Sequence, residues 1–540
     1  MIRNPILPGF NPDPSICRVG DEYYIATSTF EWYPGVQIHR SRDLVNWQLA
    51  ARPLTRAAQL DMRGNPDSCG IWAPCLSYAD DRFWLVYTDV KRYDGNFKDT
   101  HNYIVTCETV DGVWSDPVHV NSSGFDPSLF HDDDGRKWFA NLQWNHRGPG
   151  TGGNPAHASF DGILLQQYDA GAGRLIGAPR VVFHGSDLGL TEGPHLFKRN
   201  GWYYLTVAEG GTGYSHAVTM ARARTIDGPY ELHPQKHLLT AMDAPDHPLQ
   251  RVGHGQYVET PEGVPYHTFL CSRPLPGRRS PLGRETGIER CVWKEDGWLY
   301  SESGDPAPRQ EVPAPVHGPS RAPPRPLDRR FDGATLPPEF QWLRTPEADR
   351  IFELRDGQLR LVGRESIGSW FEQALVARRQ EHLRYAAETT VEFEPVTYQQ
   401  AAGLTTYYNR HKFHFLALTH DADAGRCLSL VSCLGDWPEC ALTKHLDAPV
   451  SVSTGPIEMR VEVDRAEQRF FWRQDGGDWR PIGPALDASL ISDEAGRGEH
   501  ASFTGAFVGL VCFDITGGGR SAAFDHFFYD PTFGTPASPA

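Results

Sequence analysis

The chain has 540 residues, 39% of them hydrophobic and 22% charged, with a net charge of −16 and no basic block. Such a length exceeds one ordinary core and predicts a globular protein of two or more domains. The acidic balance argues against nucleic acid and anionic membrane as partners, and no run of 18 apolar residues predicts a membrane span.

The N-terminal stretch "MIRNPILPGFNPDPS" holds prolines where a signal peptide needs an apolar core, so the expected location is cytoplasmic. The ten cysteines contain no CxxC pair and are expected as free, mostly buried thiols, without a structural zinc. Aromatics make up 11% of the chain, which suits both stacking on sugar rings and filling a β-core.

A turn followed by an aromatic-rich strand recurs along the first 300 residues: "GDEYYIATST" at 20, "DDRFWLVYTD" at 80, "DGRKWFANLQ" at 134, "RNGWYYLTVAE" at 199 and "PEGVPYHTFLCSR" at 261. The intervals of about 54 to 65 residues fit one four-stranded blade each. Long helical periodicity is absent, and five units predict a five-bladed β-propeller over residues 1–305.

Aligning the segments before each hairpin turn puts Asp13, Trp72, Asp126, Glu192 and Gly253-His254 in one register, at the start of each blade's first strand. First strands of a propeller run along its central channel, so these five positions converge. A lone Asp-Pro is ordinarily a turn. Three acids at one repeat position instead predict a site that uses shifted pKa values. "HDDDG" at 131 has the look of a calcium loop, but it falls on the hairpin turn of blade three and is read as a solvated turn. "RGPGTGGNP" at 147 lacks the GK[ST] ending of a phosphate loop.

Residues 306–326, with eight prolines, predict an extended linker. Alternating segments such as "IEMRVEVDRAEQRFFWRQDG" and "AFVGLVCFDIT" follow, and predict an antiparallel β-sandwich over residues 327–540. The fold class is therefore all-β.

The motifs "GFNPDPSI", "TSTFEWYPGV", "IWAPCLSY", "FDPSLF", "TEGPHLFKRNGWYYL", "VGHGQ" and "LGRET", in this order, resemble glycoside hydrolase family 43, in particular its two-domain β-xylosidases. The resemblance extends to a concanavalin-like sandwich. It implies an inverting exo-acting 1,4-β-xylosidase that releases xylose from the non-reducing ends of xylo-oligosaccharides, with α-L-arabinofuranosidase side activity. Asp13 is then the general base, Glu192 the general acid, and Asp126 the carboxylate that raises the pKa of Glu192. Arg284 matches the family's active-site arginine, with Arg290 as the competing position. Phe30, Trp72, Phe125 and Trp144 would ring the acids, and Thr212 is placed with them as substrate-binding. "SFTGAF" matches a pocket-closing loop of the sandwich and nominates Phe503; the alternative is that Phe503 packs inside a separate carbohydrate-binding module. His254 matches a channel histidine associated with calcium or a water cluster; no cofactor is required, though a structural Ca2+ in the channel is possible. The family also suggests a dimer or tetramer. The rival readings are an arabinofuranosidase proper and a non-catalytic sugar-binding propeller. A fructosidase-type retaining propeller lacks its WMNDPN-like opening here.

Overall fold

In the computed structural model the recurring phrase folds into five separate antiparallel sheets. The residues described are 1–147, 159–316, 318, 320–436, 439–495 and 502–534. Among them, blade one holds Ser15–Val19, Glu22–Thr27, Gln37–Ser41 and Gln48–Ala51. Blades two, three and four begin with Gly70–Ala79, Ser128–His131 and Glu192–Arg199, and each adds three more strands in sequence order. The first strand of blade five is split into Gln250–Gly253 and Tyr257–Glu259, and the break falls on the "HGQ" of the histidine motif. Tight hairpins need left-handed residues, and Asp80 and Asp81 supply them at φ +53° and +55°. The Gly-rich stretch 148–155 lies outside the described residues.

Polar ties join the blades into a ring. Ser15 Oγ donates to Gln256 Oε1 of blade five at 2.7 Å and accepts from the Leu76 N–H of blade two at 2.9 Å. Ser77 Oγ meets His131 Nε2 of blade three at 2.9 Å. "HDDDG" is a hairpin turn, as expected, but it is not wholly solvated. The Asp132 carboxylate is buried, 3.0 Å from Lys198 Nζ of blade four, and accepts from Tyr203 at 2.8 Å. An acid at this turn is thus an inter-blade tie.

The second half forms two packed sheets, and among the described residues there is no α-helix. Ile457–Asp464 alternates buried and less buried residues, as a strand with one wet face must. Gln400–Asn409, by contrast, is buried at every position. One face of its sheet packs in the sandwich core with Leu404 and Leu416; the other packs on the propeller, where Tyr407 and Phe415 join Phe10, Phe30, Trp32 and Trp72.

The two halves are also stitched by backbone. Trp32–Tyr33, from blade one, pairs with Phe340–Leu343 at the edge of the sandwich sheet. The Trp32 ring stacks on Phe507 at 3.6 Å. The proline-rich strap is pinned too: Glu311–Val312 pairs with Ile2–Arg3. Fully buried Arg344 of the sandwich sits 2.8 Å from Asp67 of the propeller and donates to Asn65 O at 2.8 Å. Removing one partner of such a buried pair typically costs about 3–5 kcal/mol, so the junction is specific as well as apolar.

Candidate active site

All five register positions meet around one pocket at the propeller axis. Glu192 opens its strand and Trp72 is third in its own, whereas Asp13 and Asp126 stand two residues before theirs and His254 follows one. The repeated Asp-Pro-Ser gives both aspartates the same left-handed backbone, φ +56° for Asp13 and +54° for Asp126. Asp tolerates this region better than most residues, yet the proline that follows disfavours it. Both side chains are buried.

Asp13 is bracketed by donors. Arg284 Nη1 donates to its Oδ1 at 2.9 Å, and Ser28 Oγ donates to its Oδ2 at 2.6 Å. Arg284 is only 3% exposed, and its Nη2 donates to the carbonyl of Phe503 at 3.0 Å. One guanidinium therefore joins the aspartate of blade one to the loop of the sandwich. Arg290, the competing position, lies within the strand Glu285–Trp293 beside Glu302 at 3.2 Å, outside the pocket. Gly283 has φ +69°, and a Cβ there would meet Thr504 O at 2.1 Å, so the glycine before Arg284 is what lets the sandwich loop approach.

Glu192 and Asp126 are both driven toward the protonated form. Burial first, then the charge of Asp13, pushes Glu192 up to about 8. Burial first, then Glu192 and Asp13, pushes Asp126 well above the usual carboxylate range. Glu192 and Asp126 interact as a pair, so the charge of either raises the pKa of the other, and the Asp13 charge adds to both.

The pocket encloses about 230 Å³, small beside the roughly 300–1,000 Å³ of sites for drug-sized ligands, and suited to one sugar ring. Phe30, Trp72, Phe125, Trp144, Thr212, Arg284, His254 and Phe503 all line it. Phe503 lies outside the sandwich core, 6.3 Å from Phe30 and 6.0 Å from Trp72 between ring centroids, and its N–H donates to Ser68 Oγ at 3.0 Å. Trp72 Nε1 donates to the carbonyl of the same Ser68 at 2.9 Å. Trp144 Nε1 donates to Asn96 O at 2.8 Å.

Four lining residues escaped the sequence reading: Tyr93, Lys98, Phe160 and Gly211. Lys98 Nζ lies 4.2 Å over the Trp144 ring, and burial lowers its pKa. They stand on loops and strand ends outside the repeat register, and only the aromatic content of "KRYDGNFK" hints at them.

Beneath the acids lies a group of imidazoles. His254 Nδ1 is 3.7 Å from Asp13 Oδ1, and its ring is 6.0 Å from that of His195. Gly193, at φ +59°, packs so closely on His254 that a Cβ would come within 2.7 Å of its Nε2. Burial holds His195, His216, His254 and His267 below the ordinary imidazole range, so they are neutral near pH 7. Calcium takes six to eight oxygen ligands. Here the side chains offer nitrogens and one carboxylate already engaged by Arg284 and Ser28, so a calcium ion beside His254 would take its oxygens from water and backbone carbonyls.

Comparison with known proteins agrees with this geometry. The family model "Glycosyl hydrolases family 43" matches residues 2–299, and "Beta xylosidase C-terminal Concanavalin A-like domain" matches residues 328–530. The chain is similar to a protein named xylosidase/arabinosidase 43B from Humicola insolens, at 55% identity over 98% of both chains. It is also similar to a xylan 1,3-beta-xylosidase from a Vibrio species, at 42% identity over 98% of this chain and 99% of that one. Among solved structures it resembles the crystal structure of xylan beta-1,4-xylosidase from Bacillus halodurans C-125, with 46% identity and a TM-score of 0.93 over 98% of this chain and 100% of that one. A five-bladed propeller with three buried acids at its axis, closed by a concanavalin-like sandwich, makes this chain a glycoside hydrolase, and it belongs to glycosyl hydrolase family 43.

Proposed function

We propose that the protein is an inverting, exo-acting 1,4-β-xylosidase that takes single xylose units from the non-reducing ends of xylo-oligosaccharides, with α-L-arabinofuranosidase activity beside it. The observation that carries this reading is a one-sugar pocket in which a carboxylate paired to Arg284 and a carboxyl held protonated share one buried wall. A pocket covered by Phe503 admits a chain end and excludes a through-running chain. The solved relative named for the 1,4 linkage supports that choice over the 1,3 linkage, and the Humicola relative's name supports the side activity.

In the proposed reaction Asp13 accepts a proton from water as the water oxygen bonds to the anomeric carbon. The bond from that carbon to the leaving oxygen breaks, and Glu192 gives its proton to that oxygen. Asp126, buried in the same wall, shares with Glu192 an environment that favours the protonated form and is placed to orient the acid and the bound sugar. Aromatic rings on several sides keep water low around the acids, which is what holds Glu192 protonated near neutral pH.

Stereochemistry tests the role of Asp13. Proton NMR early in hydrolysis of a β-xyloside should show α-xylose first, whereas β-xylose first means a covalent intermediate and different roles.

Glu192 is tested by leaving group and by pH. Glu192→Ala should lose far more activity on xylobiose than on a nitrophenyl xyloside, whose leaving group needs no proton. In the wild type, kcat/KM on xylobiose should fall as pH rises through about 8, where Glu192 gives up its proton. A loss equal on both substrates, with an unchanged basic limb, contradicts the assignment.

The sandwich's share is tested by Phe503→Ala. A contact worth about 1.5 kcal/mol, the low end for burying a large apolar side chain, is a factor of about ten in kcat/KM. The variant should lose at least that on xylobiose while its Tm changes little; full activity removes Phe503 from the site.

A further inference from the structure

A second cavity lies on the junction of the two halves and shares no residue with the active site. It encloses about 550 Å³ and is lined by three arginines from three parts of the chain: Arg52 of blade one, Arg321 of the proline-rich strap and Arg379 of the sandwich. Arg379 is 5% exposed, so its charge is taken almost fully out of water.

None of the three has a carboxylate within ion-pair distance among the described residues; their partners are neutral oxygens. Arg379 Nε donates to Phe10 O at 2.6 Å, and its Nη1 donates to Gln37 Oε1 at 3.1 Å and to Gln341 Oε1. Its Nη2 is buried without a partner. Arg52 donates to the same Gln37 Oε1 from Nε at 2.9 Å and from Nη2 at 2.6 Å, and to Phe340 O from Nη1 at 3.2 Å. Arg321 Nη1 donates to Pro5 O at 3.2 Å and to Ile6 O at 3.4 Å.

Two carboxylates also line the cavity, but each already has an arginine of its own. Glu381 is 3.0 Å from Arg378, and Glu339 pairs with Arg329, its second oxygen being buried without a partner. The charge left over at the cavity is therefore positive. Burial followed by repulsion from Arg52 holds the Arg379 guanidinium well below its ordinary range, and burial lowers Arg52 to about 9. Neutral His39, whose Nδ1 is buried and unpartnered, stands beside them.

Two arginines converging on one amide oxygen, with a spare N–H and open space beside them, are poorly matched by the protein itself. A buried guanidinium without a counter-charge costs several kcal/mol. Guanidinium forks fit oxyanions, with two parallel N–H groups meeting two oxygens. We propose that this interdomain cavity is a binding site for a small oxyanion, a phosphate or a small carboxylate, held by Arg379 and Arg52 and covered by Arg321. Such a ligand joins propeller, strap and sandwich at one point. It also bears on the active site at one remove, because Arg379 holds the carbonyl of Phe10, whose ring lies 5.7 Å from that of Phe30 in the pocket wall.

The test uses the full-length protein with inorganic phosphate in one arm and acetate in the other, each against chloride at matched ionic strength. Equilibrium dialysis should find saturable binding of one anion per chain, and the Tm should rise with its concentration. The arm that saturates names the ligand class. Arg379→Gln should weaken binding at least tenfold, and Arg321→Gln, on the exposed strap, should weaken it severalfold without unfolding the protein. Wild-type protein that binds neither anion beyond the chloride control overturns the proposal. So does undiminished binding in both Arg321→Gln and a folded Arg379→Gln; if Arg379→Gln does not fold, Arg321→Gln decides alone.

Discussion

The structure turns on one buried guanidinium. Arg284 sits between the carboxylate of Asp13 and the carbonyl of Phe503, and almost none of it reaches solvent. A charge so placed is tolerable only with a partner of opposite sign. Asp13 is that partner, while burial and the Asp13 charge drive Glu192 and Asp126 toward their protonated forms. The same side chain ties the sandwich loop to the propeller. Charge placement among the acids and closure of the pocket are therefore a single arrangement, in which the second domain supplies part of the pocket wall.

Strain gathers at the same place. Asp13, Phe30, Ser68, Asp126 and His254 all have left-handed backbones. Each such residue costs of the order of 1–3 kcal/mol and persists only where the surroundings dictate it. Here they do. Ser68 alone receives the Trp72 indole and the Phe503 amide while its own N–H donates to Glu31, so blade one, blade two and the sandwich loop are fixed against each other. Such a network holds the pocket's aromatic walls at fixed positions before any sugar arrives.

Much of this was legible in the chain. The repeated aromatic hairpins set the register, and the register alone brought Asp13, Trp72, Asp126, Glu192 and His254 to one axis. Phe503 and Arg284 needed resemblance, since no periodicity links residue 503 to blade one. Tyr93, Lys98 and Phe160 carried no usable signal because loops have no register. The pairing of Trp32–Tyr33 with the sandwich sheet was hidden because a two-residue strand has no period of its own. Asp132 misled because a carboxylate in a hairpin turn is ordinarily solvated, and only the neighbouring blade supplies the lysine that buries it. The pairing of Arg284 with Asp13 was hidden for another reason: sequence shows that three acids converge but not which of them receives the arginine.

The most direct measurement is the pH profile of kcat/KM for Arg284→Met on xylobiose. Arg284 draws Glu192 and Asp126 toward their charged forms, so without it the basic limb should move to higher pH, with reduced activity throughout. A uniform loss with the basic limb unmoved would contradict the claim that this one guanidinium sets the charge of the buried acids.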